Sequence, residues 1–337
     1  MPSTPAATPT SHSSAPGTPA RDIAVAVMLP RDLPATEVLT FARRADALGF
    51  DALWVVEDLG FRGGIGQAAA ALAATERIRV GIGILPVAAR NVAFTAMEIA
   101  TLAELFTDRL DVGLGHGLPG WMRQVGAWPA SPLTLLREYT TALRSLLRGE
   151  TVTVGGRYVQ LDGVRIESPP AVVPPLYAGV RGPKSLALAG EVADGVVLAE
   201  PITPEYLATS LAFTGASPDH RVVTYNVACV DDDIDAARRA VRPALEWIGE
   251  PDWAVHIDPL PFAAEFRALR ASSPDRAEFA RRMPDAWVDR LAIAGPPEVA
   301  RAHLDTQRAA GVTTAVLMPA GPEPLAALEA LGRVILR

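Results

Sequence analysis

Cysteine is nearly absent from this chain: Cys229 is the only one in 337 residues, so no intrachain disulfide can brace the fold. It stands in the apolar run 226–230 and reads as a buried core thiol. Lysine is just as scarce, with Lys184 the only one among 31 basic residues, an imbalance expected from codon usage that favours arginine. Positive charge is also in deficit. The 31 basic side chains face 38 acidic ones, a net charge of −7, which argues against a phosphate backbone or an anionic membrane as partner and leaves a small molecule. No apolar run is long enough to span a bilayer, and the first residues lack the basic-then-apolar order of a signal peptide, so a cytoplasmic protein is expected. The five histidines show no metal-ligand spacing with carboxylates or Cys229, and no metal is expected.

Apolar residues make up 49% of the chain, enough to build a sizeable core. Residues 1–21, rich in Pro, Ser, Thr and Ala, have little to bury and are expected to form a disordered tail, leaving 22–337 as one domain. Short β-like runs then alternate with helical stretches: IAVAVML, DALWVV, IRVGIGIL and RLDVGLG, each followed by a helix, then PPLYAGV, DGVVLAE, VVTYNVACV and TTAVLMP in the same rhythm. Eight βα units in about this length predict an α/β fold, the TIM (β/α)8 barrel, with parallel strands and right-handed crossovers. Two segments break the rhythm. TVTVGGRYVQL, at about 151–161, reads as a β-hairpin, and about 246–290, rich in Trp, Phe and Pro, reads as a helical insertion late in the barrel. That insertion is either a wall or lid over the site or a surface excursion.

Chemistry in such barrels gathers where strands run into the loops that follow them. After the second strand stand Glu57 and Asp58, adjacent carboxylates able to orient a ligand or move a proton, or simply to begin a polar loop. Gly81 and Gly83 in the third strand, and Gly113, Gly115 and Gly117 in and after the fourth, lie at alternate positions. Such stripes fit either a flat slot for a planar ring or tight packing. His116, between two of these glycines, could donate a hydrogen bond or carry a proton near neutrality. The pattern Gly115-His116-Gly117-Leu118-Pro119-Gly120 matches a dinucleotide fingerprint, but it follows a fourth barrel strand rather than opening a βαβ unit. After the fifth strand, Gly179-Val180-Arg181-Gly182-Pro183-Lys184 leads into a helix start, a natural phosphate site.

With these residues in view, the sequence resembles the luciferase-like flavin-dependent oxidoreductases, most closely their coenzyme F420-dependent branch, which includes the methylenetetrahydromethanopterin reductase-like proteins. The motifs that carry the resemblance are GFDALWVVED, VGIGILPVAARNV with ATLAELFTDRLDVGLGHG, and YAGVRGPKSLALAGEVADGVVL. The resemblance implies a luciferase-like barrel and hydride transfer between F420 and a small organic substrate. It also implies a non-prolyl cis peptide at Gly83-Ile84 backing the ring, Glu57 where relatives place a cofactor-touching Asp, and His116 and Gly117 lining the ring. Gly179, Val180, Arg181, Gly182 and Pro183, with Lys184, would hold the phosphate. Asp58 stands where several relatives have histidine, and Leu118 where the sugar-phosphate dehydrogenases of the branch have a catalytic Glu, so this chain is not expected to be one of those. His116 and Asp58 are then the candidates to handle the proton, with Glu57 positioning. An FMN-dependent monooxygenase and a non-catalytic cofactor-binding barrel are the alternatives, and a homodimer is expected.

Overall fold

The computed structural model describes residues 23–215 and 217–335, so the tail expected over 1–21 lies outside them. Eight parallel strands close into a barrel: β1 (Ala24–Met28), β2 (Ala52–Val55), β3 (Arg79–Pro86), β4 (Leu110–Gly115), β7 (Leu176–Gly179), β8 (Gly195–Leu198), β9 (Arg221–Val230) and β11 (Thr314–Pro319). Pairing of β11 with β1 and of β8 with β9 completes the ring. Between β4 and β7 an antiparallel hairpin, β5 (Val152–Gly155) and β6 (Gln160–Val164), stands apart as a second sheet. The barrel strands are short, nearly unbroken apolar runs because a parallel sheet under helices is buried on both faces. Helix starts are marked where the chain leaves the strands: Asn91, Thr203 and Asp233 each accept a backbone N–H of the helix they open.

An eleventh strand, β10 (Ile293–Gly295), is too short to have been read from the sequence. It pairs with the C-terminal part of β9, at Ala228–Val230, whereas β8 pairs with the first part, from Arg221 to Thr224. β9 thus changes neighbour halfway along, and the sheet parts between β8 and β9 toward the mouth. The helical segment from Arg242 to Leu291 has a core of its own, with Leu245, Ile248, Phe266, Phe279 and Val288 packed against Val227 and Ala294 of the barrel wall. Cys229 is half-buried on this side rather than deep in the core as expected.

The barrel interior is filled by Trp54, Tyr177 and Tyr225, with edge-on ring contacts at 5.9 and 6.1 Å between centroids. This filling explains much of the glycine pattern. A Cβ at Gly81 would lie 2.3 Å from the Trp54 ring, and one at Gly195 would lie 2.6 Å from the Tyr177 ring. Higher up, a Cβ at Gly179 would meet Ile84 Cγ2 at 2.3 Å, and Cβ atoms at Gly113 and Gly115 would also crowd Ile84. The stripes are therefore occupied by the chain's own side chains, not left as a bare slot. At the bottom of the barrel, Asp111 takes hydrogen bonds from Arg79 Nε at 3.0 Å and from Tyr177 Oη at 3.3 Å, closing that end with a polar network.

Candidate active site

The β3–β4 register slips between Ile82 and Leu85, and inside this bulge the Gly83-Ile84 peptide is cis. The bulge turns the Ile84 side chain toward Gly113, Gly115 and Gly179, while Gly83 faces Tyr225, whose Oη would be 2.4 Å from a Cβ there. Tyr225 is 5% exposed, and its hydroxyl has no hydrogen-bond partner among the described residues. A buried phenol without a partner is costly, and this one faces the bulge with its hydrogen-bonding capacity unused among the described residues.

The two carboxylates after β2 have separate partners. Glu57 accepts two parallel bonds from Arg90, Nη1 and Nη2 each at 2.9 Å, and a third from Gly64 N at 2.8 Å. This bidentate pair ties the loop after β2 to the loop after β3 and to the start of the helix Gly64–Ala74. Glu57 is therefore a brace of the bulge, with its lone pairs largely committed. Asp58 pairs with Arg31 Nη1 at 2.5 Å, and the Arg31 guanidinium lies over the Phe61 ring. Arg62 donates to the carbonyls of Pro30, Arg31 and Leu33, so the loops after β1 and β2 form one rim.

His116, just past β4, engages the helix Pro183–Val192: its Nε2 is 3.0 Å from Ser185 Oγ, while the buried Nδ1 has no partner among the described residues. Burial lowers its pKa, so the ring is neutral at pH 7. The helix it touches begins at Gly182 as N-cap with Pro183 in the first turn, leaving N–H groups free for an anion. A Cβ at Gly182 would meet nothing within 4 Å, so the loop is open there. Val180 is packed into the core and can contribute only backbone, and Lys184 is exposed, bordering a shallow groove with Leu133, Arg137 and Glu191. Arg181 turns to the insertion, where its guanidinium lies over the Trp253 ring at 4.8 Å and donates to the Asp252 carbonyl at 3.3 Å.

The insertion meets the barrel at a second point. His256, fully buried, stacks on Tyr206 with centroids 3.9 Å apart and has Nδ1 3.2 Å from the Pro201 carbonyl. Beside that contact stands Glu200, just beyond β8, a carboxyl that reading the sequence passed over. Burial raises its pKa, against opposing help from its own backbone N–H and from Arg181. The signal available was a lone acidic residue closing DGVVLAE before a proline. No group of three or more His, Cys, Asp or Glu among the described residues could hold a metal. Among them, too, no helix is long and apolar enough to cross a membrane.

A closed parallel barrel, a glycine bulge at its mouth and an open helix start after β7 define a β/α-barrel protein whose candidate site lies where the strands run into their loops. Residues 7–314 match the family model of the luciferase-like monooxygenases, and the chain belongs to that family. It is 29% identical over 316 residues to 5,10-methylenetetrahydromethanopterin reductase from Methanolobus tindarius, a match covering 90% of this chain and 96% of the relative. An F420-dependent glucose-6-phosphate dehydrogenase from Nakamurella multipartita is 31% identical over a shorter stretch, 48% of this chain and 51% of its own length. Among solved structures, the coenzyme F420-dependent tetrahydromethanopterin reductase from Methanopyrus kandleri shares the fold, with a TM-score of 0.81 at 23% identity over 94% of this chain and 99% of that one.

Proposed function

We infer that the protein is an oxidoreductase that transfers a hydride between coenzyme F420 and a small organic substrate at the barrel mouth. The observation that carries this reading is the unpartnered Tyr225 hydroxyl under the Gly83-Ile84 bulge, in a chain whose relatives include F420-dependent enzymes. The residues present fit the coenzyme: backbone of the bulge for the ring, and the Gly182-Pro183 helix start for the phosphate. When bound, the deazaflavin supplies or accepts a hydride at carbon and does not readily trap oxygen.

The chain's own residues do the rest. Glu57, through Arg90 and Gly64, holds the bulge in position, and the Asp58–Arg31 pair keeps the opposite lip charged yet neutral in sum. His116 joins the end of β4 to the phosphate helix through Ser185. Trp253, Asp252 and His256 bring the insertion over the loops after β7 and β8, a wall that keeps water from the reacting atoms. Leu118, which caps the short helix Pro119–Gln124, offers no acid, and this disfavours sugar-phosphate oxidation. The active form is a homodimer. Fluorescence titration with F420 and with FMN tests the coenzyme: F420 is expected to bind more tightly, and micromolar FMN binding without F420 binding would replace this reading with a flavin monooxygenase, to be checked by oxygen uptake with reduced FMN.

A further inference from the structure

One carboxyl at the mouth is left without a task by the roles above. In a ring of eight strands, those four places apart face each other: β8 stands across from β2, and β9 from β3. Glu200 beyond β8 therefore faces Asp58 across the mouth, while Tyr225 on β9 reaches over to Gly83 on β3. Asp58 is held by Arg31, and Arg181 is held by Asp252 and Trp253. Among the described residues Glu200 makes no ion pair, and the Tyr225 hydroxyl near it has no hydrogen-bond partner.

We propose that Glu200 is the acid–base group of the site, with the Tyr225 hydroxyl beside it orienting the substrate atom that exchanges the proton. The proposal rests on the hydride-transfer reading. In the reducing direction, the substrate double bond gains a hydride at one atom and the Glu200 proton at the other. The two electrons come from the reduced coenzyme, the carboxylate left on Glu200 regains its proton from water, and oxidation runs these transfers in reverse. The titratable surroundings shift the carboxyl toward its protonated form. Burial raises Glu200, its own backbone N–H and Arg181 act against the rise, Asp58 adds to it, and Arg31 opposes. Tyr225 and Tyr206, both raised by burial, stay protonated, and burial keeps His256 neutral. His116 is a poorer choice, since burial leaves it neutral and Ser185 occupies its Nε2.

The test is Glu200→Gln, which keeps the shape and removes the proton. Infrared difference spectra of the coenzyme-free protein, taken along an acid–base titration, are expected to show a carboxyl band that appears at higher pH than that of a free glutamic acid and is missing in the variant. A wild-type spectrum without that band, or a variant that keeps it, overturns the proposal. With reduced F420 and cyclohex-2-enone as the probe acceptor, the variant should lose turnover about a hundredfold or more, together with the basic limb of the pH profile. Wild-type turnover with an unchanged profile would overturn it as well. F420 titration separates the failures: normal coenzyme binding with an unaltered variant sinks only the Glu200 assignment, whereas no F420 binding by the wild-type protein sinks the reading beneath it.

Discussion

Glycine in a strand is informative only once its neighbour is known, and Gly83 shows why. From the sequence, the glycine stripes fit a ring slot and tight packing equally well. The structure gives most of them to packing, Gly81 to Trp54 and Gly179 to Ile84, and leaves Gly83 against a hydroxyl. Gly83→Ala would set a Cβ 2.4 Å from Tyr225 Oη and 3.0 Å from Trp54 Cε3, in a layer where Trp54 is 1% exposed and has little room to move. We expect the variant to lose about 1 to 3 kcal/mol of stability, as overpacked cores do. Tyr225→Phe removes the oxygen and leaves Cζ as the nearest Tyr225 atom at 3.2 Å, so the double variant should recover part of that loss. A urea double-mutant cycle measures the coupling. If the two losses simply add, the hydroxyl is not what Gly83 is sized for. Residue chemistry alone does not say how committed a side chain is: Glu57 and Asp58 look alike as neighbouring acids, and their partners, Arg90 and Gly64 for one and Arg31 for the other, tell them apart.

At the scale of elements, the N-terminal end of the insertion meets the barrel at His256, a contact sensitive to acid. His256 is buried against Tyr206, and burial, with Arg181 nearby adding to the effect, lowers its pKa from 6.5 to about 3. A base whose folded pKa lies below its unfolded value stabilises the fold fully above pH 6.5 and progressively less as pH falls toward 3. Between pH 7.5 and 5 the wild-type protein should therefore lose about 2 kcal/mol more than His256→Gln, which can still donate to the Pro201 carbonyl. Equal acid losses in urea titrations would show that His256 does not carry the dependence. What was legible follows from the same physics. Eight barrel strands could be read because each is a short buried run between helical stretches, and the hairpin because alternation surrounds Gly155-Gly156. β10 was not legible, since three residues carry no period, and neither was the change of partner along β9. Glu200 escaped notice because one acid after an apolar run is common. Its importance comes from the opposed strands and from Tyr225, which only the closed ring brings together.

For the whole molecule, the outer surface carries a feature that the barrel itself does not use. Helix Val92–Leu105 exposes Phe94, Met97 and Leu105 at 65%, 54% and 67%, and these positions fall on one face of a 3.6-residue helix. Scattered apolar side chains are ordinary on a surface, but three large ones on one helix face, beside the exposed Glu98 and Thr101, make a patch that association would bury. The neighbouring helix, Gly64–Ala74, exposes Gly66, Ala70 and Ala73, whose small side chains let another backbone come close. A twofold axis between these helix pairs would bury both stripes with a single patch, the economical geometry for identical chains. The protein is expected to sediment as a dimer at micromolar concentration. Met97→Glu adds a second negative charge beside Glu98 on that face, which association would have to desolvate, and should shift the population to monomer without changing the circular dichroism spectrum. The same helix follows Arg90 and Asn91, the residues that brace the bulge through Glu57 and cap the helix start, so a dimer would stiffen the base of the active site. The monomeric variant should accordingly bind F420 more weakly, by a few-fold, and a wild-type protein that sediments as a monomer would remove both expectations together.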